Sequence, residues 1–244
     1  MKRVEYQTMA EREQTYWWHV GRLAIIDEML GKLFPDKDAR ILNVGCGTGG
    51  TIDVIEKYSR EVVNIDVSDE AIKFMKKAGY IARKVGTGKL PFKAEEFDAV
   101  VAFDVLEHIE DEDLALSEWN RILKKDGIVF ITVPAYKWLW SGHDESLFHF
   151  RRYTATRLRT LVKNHRFNVV KCAYMIVFST PLVAGFRLLH KIRKSKDVTE
   201  ETSYVQLPSV VNQSFIGLLK VESKAQRYIN FPFGTSVIGI FRKR

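Results

Sequence analysis

The sequence predicts an α/β protein built on a doubly wound, mostly parallel sheet. Three observations point there. Short apolar runs alternate with amphipathic segments from residue 40 to residue 133, the pattern of strands that are each followed by a covering helix. The fourth and fifth runs, FDAVVAF (97–103) and GIVFITV (127–133), are apolar almost throughout, as strands buried on both faces are. The first run opens into NVGCGTGG (43–50), a glycine-rich loop between a strand and a helix.

The elements follow in order. Residues 5–33 read as helix, charged at first and apolar around LAIIDEMLGKLF, until Pro35 and Asp36 end it. This N-terminal helical cap (1–36) precedes the strand RILNV (40–44). A helix over 51–58 leads to EVVNID (61–66), and a helix over 69–78 leads to YIARKV (80–85). FDAVVAF is followed by a helix over 111–123 and then by GIVFITV. After Pro134, PAYKWLWSGHDESLFHFRRYT is too irregular for a strand. Thr154 caps a helix over 154–164, and FNVVKCAYMIV (167–177) returns to strand composition. Residues 182–230 are mixed, helical or irregular, and TSVIGIFRK (235–243) reads as the last strand. The expected organisation is a core of residues 37–174 and 234–244, with a helical insertion over 175–233 that faces an acceptor or a membrane.

At 244 residues with 46% apolar content, the chain can bury one large core. Its net charge of +8 suits a nucleic acid, an anionic membrane, an acidic substrate or plain solubility. No basic stripe is interleaved with stacking aromatics, which argues against nucleic acid. Cys46 and Cys172 lack metal-type spacing, and the first residues lack the apolar centre of a signal peptide. The expectation is a reduced, cytoplasmic compartment.

Gly45, Gly47 and Gly50 stand at the spacing G-x-G-x-x-G. In a doubly wound sheet, ligands settle at the carboxyl ends of the central strands, where strand order reverses. Asp66 ends the second strand, 21 residues after Gly45, where a carboxylate accepts hydrogen bonds from the ribose hydroxyls of an adenosine. A nicotinamide dinucleotide and S-adenosylmethionine both carry adenosine. The plainer reading is a glycine turn with Asp66 as a helix cap.

The ordered series ILNVGCGTGG, VVNIDVSDEAIKFMKKAG and LPFKAEEFDAVVAFDVLEHIEDEDLALSEWNRILKKDGIVFITVP, over residues 40–134, resembles the class I S-adenosylmethionine-dependent methyltransferases of the small-molecule type. The resemblance implies a seven-stranded Rossmann-like sheet whose last strand, TSVIGIFRK, is antiparallel, and S-adenosyl-L-methionine as cofactor. It places Gly45, Cys46, Gly47 and Gly49 under the methionine part of the cofactor, Asp66 on the ribose and Val67 at the adenine wall. Phe103, Asp104 and Val105 fall beside the cofactor, and His108, a turn further on, reads as a capping or packing residue. Two positions depart from the family. Asn43 stands where an acidic residue is usual, free to hydrogen-bond the loop without its charge. In GTGKLPF, Thr87 or a backbone carbonyl must take the adenine amino group in place of an Asp.

Methyl transfer from a sulfonium is an in-line displacement, so the protein chiefly aligns the partners and excludes water. A base is needed only where the acceptor loses a proton early. His143 with Asp144 supplies a candidate base and its orienting group. Trp140, His143, His149, Arg151, Arg152 and Tyr153 are candidate acceptor contacts, the arginines for an anionic group. The plainer reading is a loop of caps and surface ion pairs. Trp18 and Arg22, in YWWHVGR, resemble a helix that lies over the cofactor in one branch of these enzymes, with Arg22 against the methionine carboxylate. His143, Asp144, Glu145 and His149 form no closed ligand set, and no metal is expected.

In residues 174–196, Phe186, Leu188 and Leu189 followed by Lys191, Arg193, Lys194 and Lys196 fit an amphipathic helix at an anionic bilayer, or a packing helix with a solvated tail. Pro181 and Arg187 break the stretch, which is too short to span a membrane. The functional expectation is methyl transfer to a small-molecule or lipid-linked acceptor, with peripheral membrane contact. The alternatives are a nicotinamide-dependent oxidoreductase on a similar fold and a non-catalytic membrane or RNA adaptor.

Overall fold

The computed structural model describes residues 3–185 and 207–244. Its strands are β1 (Ala39–Val44), β2 (Ser59–Asp66), β3 (Ala82–Lys84), β4 (Phe97–Phe103), β5 (Leu123–Pro134), β6 (Phe167–Met175) and β7 (Ser236–Lys243). They form one seven-stranded sheet in the order β3-β2-β1-β4-β5-β7-β6. The first five strands are parallel, and β7 runs antiparallel between β5 and β6. Both the doubly wound order and the antiparallel last strand match the expectation.

The helices are α1 (Arg3–Arg12), α2 (Trp17–Leu33), α3 (Ile52–Glu56), α4 (Asp69–Lys77), α5 (Glu112–Ile122), α6 (Gly142–Ser146), α7 (Ala155–Asn164) and α8 (Ser209–Gln226). They cover both faces of the sheet. Val100 and Ala102 of β4 point into one core with Trp119 and Ile122 of α5 and Leu158 of α7. Ala99, Val101 and Phe103 point into the other, with Ile26 and Leu30 of α2 and Leu219 of α8. That double burial is why the fourth run carries no polar alternation. Short polar side chains start the helices: Ser68, Asp111 and Thr154 each accept a backbone N–H one turn on.

Three details differ from the sequence reading. The single helix over 5–33 is two helices, broken between Arg12 and Trp17. The break is held from outside: Asn212 of α8 accepts from the Trp17 N–H at 2.9 Å and donates to the Thr15 carbonyl at 2.8 Å. The third strand shrinks to Ala82–Lys84, because at the sheet edge only β2 pairs with it. The insertion places α8 against α2 so closely that a Cβ on Gly21 would overlap Leu219. The expected amphipathic residues Phe186 to Lys196 lie outside the described residues.

Candidate active site

The strand order reverses between β1 and β4, so their carboxyl ends splay the following chain to opposite sides and open a crevice. The glycine loop leaves β1 there. Gly45, Gly47 and Gly49 all take left-handed φ, at 67°, 54° and 97°, which glycine adopts without penalty. The loop is latched to β2, since the Gly45 and Cys46 amides both donate to the Ile65 carbonyl. The Gly47 amide donates to Asp66 Oδ2 at 3.0 Å, and the Ser68 amide donates to Oδ1 at 2.9 Å. The loop and the strand-end carboxylate therefore sit together at one end of the sheet.

A cavity of about 1540 Å³ opens in front of them. Trp18, Arg22, Gly45, Cys46, Gly47, Asp66, Val67, Thr87, Phe103, Asp104 and Val105 all line it. Gly49 does not: its turn backs onto Met75, 3.2 Å from where a Cβ would stand. Cys46 is buried, and burial pushes its thiol up to about 12, so it stays protonated and acts as wall rather than nucleophile. Asn43 is buried too, but its amide donates to Asn64 Oδ1 at 2.9 Å. It braces β1 against β2, where a hydrogen bond to the glycine loop is the expectation from the sequence.

The N-terminal helices form the roof. Tyr6, Met9 and Glu13 line the cavity, and Thr48 of the loop donates to the Glu13 carboxylate. Nothing in the sequence marks these three; a helix of mean polar character carries no sign of what it covers. Arg22 of α2 lies 4.9 Å over the Trp18 ring and donates through Nη1 to Asp104. Asp104 sits at the end of β4 in left-handed conformation, φ 56°, and also accepts from Thr132 Oγ1 at 3.3 Å. Arg22 thus meets a carboxylate of the chain itself, while its Nε is buried in the wall without an acceptor.

The acceptor-side candidates are rearranged. Asp144 is fully buried and orients His149: His149 Nδ1 stands 2.9 Å from Asp144 Oδ1. Arg152 donates to the same carboxylate through Nε at 2.6 Å and Nη2 at 3.0 Å, and through Nη1 to the Ala135 carbonyl. Burial alone would raise Asp144, but the hydrogen bonds from His149 and Arg152 outweigh it and hold the carboxyl well below its ordinary range. Where the sequence paired His143 with Asp144, the hydrogen bond in the structure joins His149 to Asp144. Arg152, expected on an anionic acceptor, spends its donors inside the protein. Arg151 turns outward to the Glu110 carbonyl and Glu112. Tyr153 is a core residue whose hydroxyl donates to Glu112 at 2.6 Å, and neither it nor Arg151 lines the cavity. Trp140, His143 and His149 do line it.

The 3-10 turn after β4, Leu106–His108, brings two further groups, Glu107, which sequence reasoning passed over, and His108, which it read as a capping or packing residue. Glu107 is fully buried at the cavity wall, and burial, with the Asp104 charge beside it, raises its carboxyl well above the ordinary range. His108 packs edge-on against His149 with ring centroids 4.6 Å apart. Burial and the neighbouring His149 push it down to about 3, so the imidazole is neutral. The signal was available in the adjacent Glu-His pair at a central strand end, a place where side chains face ligand rather than core.

Topology, glycine loop and strand-end carboxylate thus converge on one cavity at the carboxyl end of the sheet. Residues 42–131 match the family model described as a methyltransferase domain. The chain is 30% identical over 162 residues to a protein of Mycolicibacterium smegmatis named "Probable S-adenosylmethionine-dependent methyltransferase", the match covering 64% of this chain and 61% of that protein. It is 32% identical over 102 residues to a ubiquinone biosynthesis O-methyltransferase of Pelagibacter ubique, covering 40% and 42%. The chain thus spans less than two thirds of the length of these curated relatives. A crystal structure of a Thermotoga maritima S-adenosylmethionine-dependent methyltransferase, described as a possible histamine N-methyltransferase, matches all of both chains at a TM-score of 0.60 with 19% identity. At that identity the likeness is one of fold.

Proposed function

We propose that the chain transfers a methyl group from S-adenosylmethionine to a small-molecule or lipid-like acceptor. The observation that carries this reading is the Gly47–Asp66 contact, which sets an open glycine turn and an adenosine-ribose acceptor at the mouth of one cavity. The residues suit the cofactor. A Cβ on Gly45 would stand 2.5 Å from Val105 across the crevice, so the loop needs bare backbone to lie this low. Asp66 offers its remaining lone pairs to the ribose hydroxyls, and the orphan Arg22 Nε is a ready donor for the methionine carboxylate. When bound, the cofactor supplies a methyl on a sulfonium, which leaves with the carbon–sulfur electron pair retained by sulfur.

A typical ligand pocket is about 300–1,000 Å³, so this cavity has room for an acceptor beside the cofactor. Its lining includes the apolar Leu182, Val183, Leu207 and Phe215. That lining excludes water from a displacement that needs none, and it favours an acceptor with an apolar body. His149, fixed through Nδ1 by Asp144, is the oriented imidazole of the site.

A membrane-associated form of this reading has its own support. On α8, Val211, Leu218 and Val221 share a face at helical spacing, exposed by 38%, 42% and 63%. Among the described residues no helix is long and apolar enough to cross a membrane, so the contact we propose is peripheral.

Calorimetric titration with S-adenosylmethionine tests the main reading. Wild type binds, and Asp66→Ala binds at least about tenfold more weakly, about 1.4 kcal/mol. No binding by wild type, or unchanged binding by the variant, removes the proposal.

A further inference from the structure

Glu107 is buried completely, lines the cavity, and neither carboxylate oxygen has a hydrogen-bond partner among the described residues. Buried carboxylates are rarely left so, because desolvation goes uncompensated. Beside it stand two imidazoles. One ligand atom from each of Glu107, His108 and His149 can be chosen so that all lie within 4.8 Å of one another.

The surroundings fix these groups in place. His149 Nδ1 is engaged by Asp144, which leaves Nε2 as its coordinating atom; Asp144 is in turn clamped by Arg152. A carboxylate behind an imidazole is the usual outer partner of a metal-bound histidine. His108 has a comparable partner in the Leu147 carbonyl. The Phe150 amide donates to the Glu107 carbonyl at 2.8 Å, tying the His149 segment to the turn that carries the other two groups. Ligands of a small divalent ion sit about 2.0–2.1 Å away at near-tetrahedral angles, so two of them stand about 3.4 Å apart. The set closes on an ion when its ligand atoms draw together by up to about 1.4 Å.

We propose that Glu107, His108 and His149 bind one first-row divalent cation in the wall of the cofactor cavity. Two imidazoles and one carboxylate leave further coordination positions for small ligands. All three residues line the cavity that holds the glycine loop. Resting on the methyl-transfer reading above, the chemistry this adds is a preference for an acceptor that presents an oxygen atom, taken up as a ligand of the ion. His108 is then a ligand rather than the packing residue that its sequence context suggests, and the expectation that the chain holds no metal is replaced. The ligands that expectation weighed were His143, Asp144, Glu145 and His149; only His149 belongs to the set.

The test is titration of chelator-treated protein with Co²⁺, followed by visible absorption and by calorimetry. Wild type takes up one ion per chain with saturable absorption bands, and Glu107→Gln, which keeps the shape of the side chain, binds at least tenfold more weakly while melting as a folded protein. Asp113→Asn, which alters a surface partner of His165, leaves the uptake unchanged. No saturable band in wild type, or equal affinity in Glu107→Gln, overturns the proposal. S-adenosylhomocysteine titrated into the same samples separates the two readings. Ion uptake without its binding keeps the metal site and removes the methyltransferase function; its binding without ion uptake does the reverse.

Discussion

Asp144 shows what a single buried charge does in this protein. It serves His149, Arg152 and the Ser141 amide at once, with no exposure to solvent. Removing one partner of a buried ion pair strands the other, at a cost of about 3–5 kcal/mol. Asp144→Asn is therefore expected to lose stability on that scale in urea unfolding, and a loss under about 1 kcal/mol would show the network to be slack. The acid dependence follows from the same contacts. The folded-state carboxyl lies below its unfolded value near 3.8, so its contribution is complete above that value and is lost as pH falls through the lower, folded one. Wild type is expected to lose stability more steeply than Asp144→Asn below about pH 4. At this scale the sequence is only partly legible. Asp66 could be picked because a strand end in a wound sheet has one exit, toward ligand. Arg151, Arg152 and Tyr153 could not be sorted, because in an irregular loop neighbouring residues face opposite ways, and only partners as distant as Glu112 decide which way.

Among the helices, α2 and α8 pack most extensively on each other. They meet at Gly21, where the absence of a side chain lets Leu219 sit against the helix backbone. Any added carbon forces the helices apart, and overpacking costs about 1–3 kcal/mol. Gly21→Ala is expected to lower the melting temperature, even though alanine is the better helix former at an exposed site. A higher melting temperature would mean that α8 does not lie where the structure puts it. The strands were legible because burial on both faces leaves a continuous apolar signature. The break between α1 and α2 was not, since it is imposed by Asn212, nearly two hundred residues away. The short third strand was overextended for a related reason: apolar composition persists past the point where a pairing partner ends.

For the whole molecule, sheet, loop and roof converge on one crevice. The parallel strands deliver Gly47, Asp66 and Asp104 to a common edge, and α1 and α2 close over it. The net charge of +8 and the exposed apolar face of α8 predict binding to vesicles of phosphatidylglycerol and phosphatidylcholine. The chain should sediment with anionic vesicles at low salt and less so at high salt, whereas no sedimentation at low salt would leave α8 without a lipid role. The topology was readable from the alternating pattern; of the roof, Trp18 and Arg22 were marked but Tyr6, Met9 and Glu13 were not, because the crevice they cover is built by strands later in the chain. The most direct trial of the account is a crystal structure with S-adenosylhomocysteine bound. The account predicts both ribose hydroxyls within hydrogen-bond reach of Asp66 and the sulfur turned toward the wall of Glu107 and His149. An adenosine lodged away from Asp66, or no ligand in the crevice between β1 and β4, would contradict it.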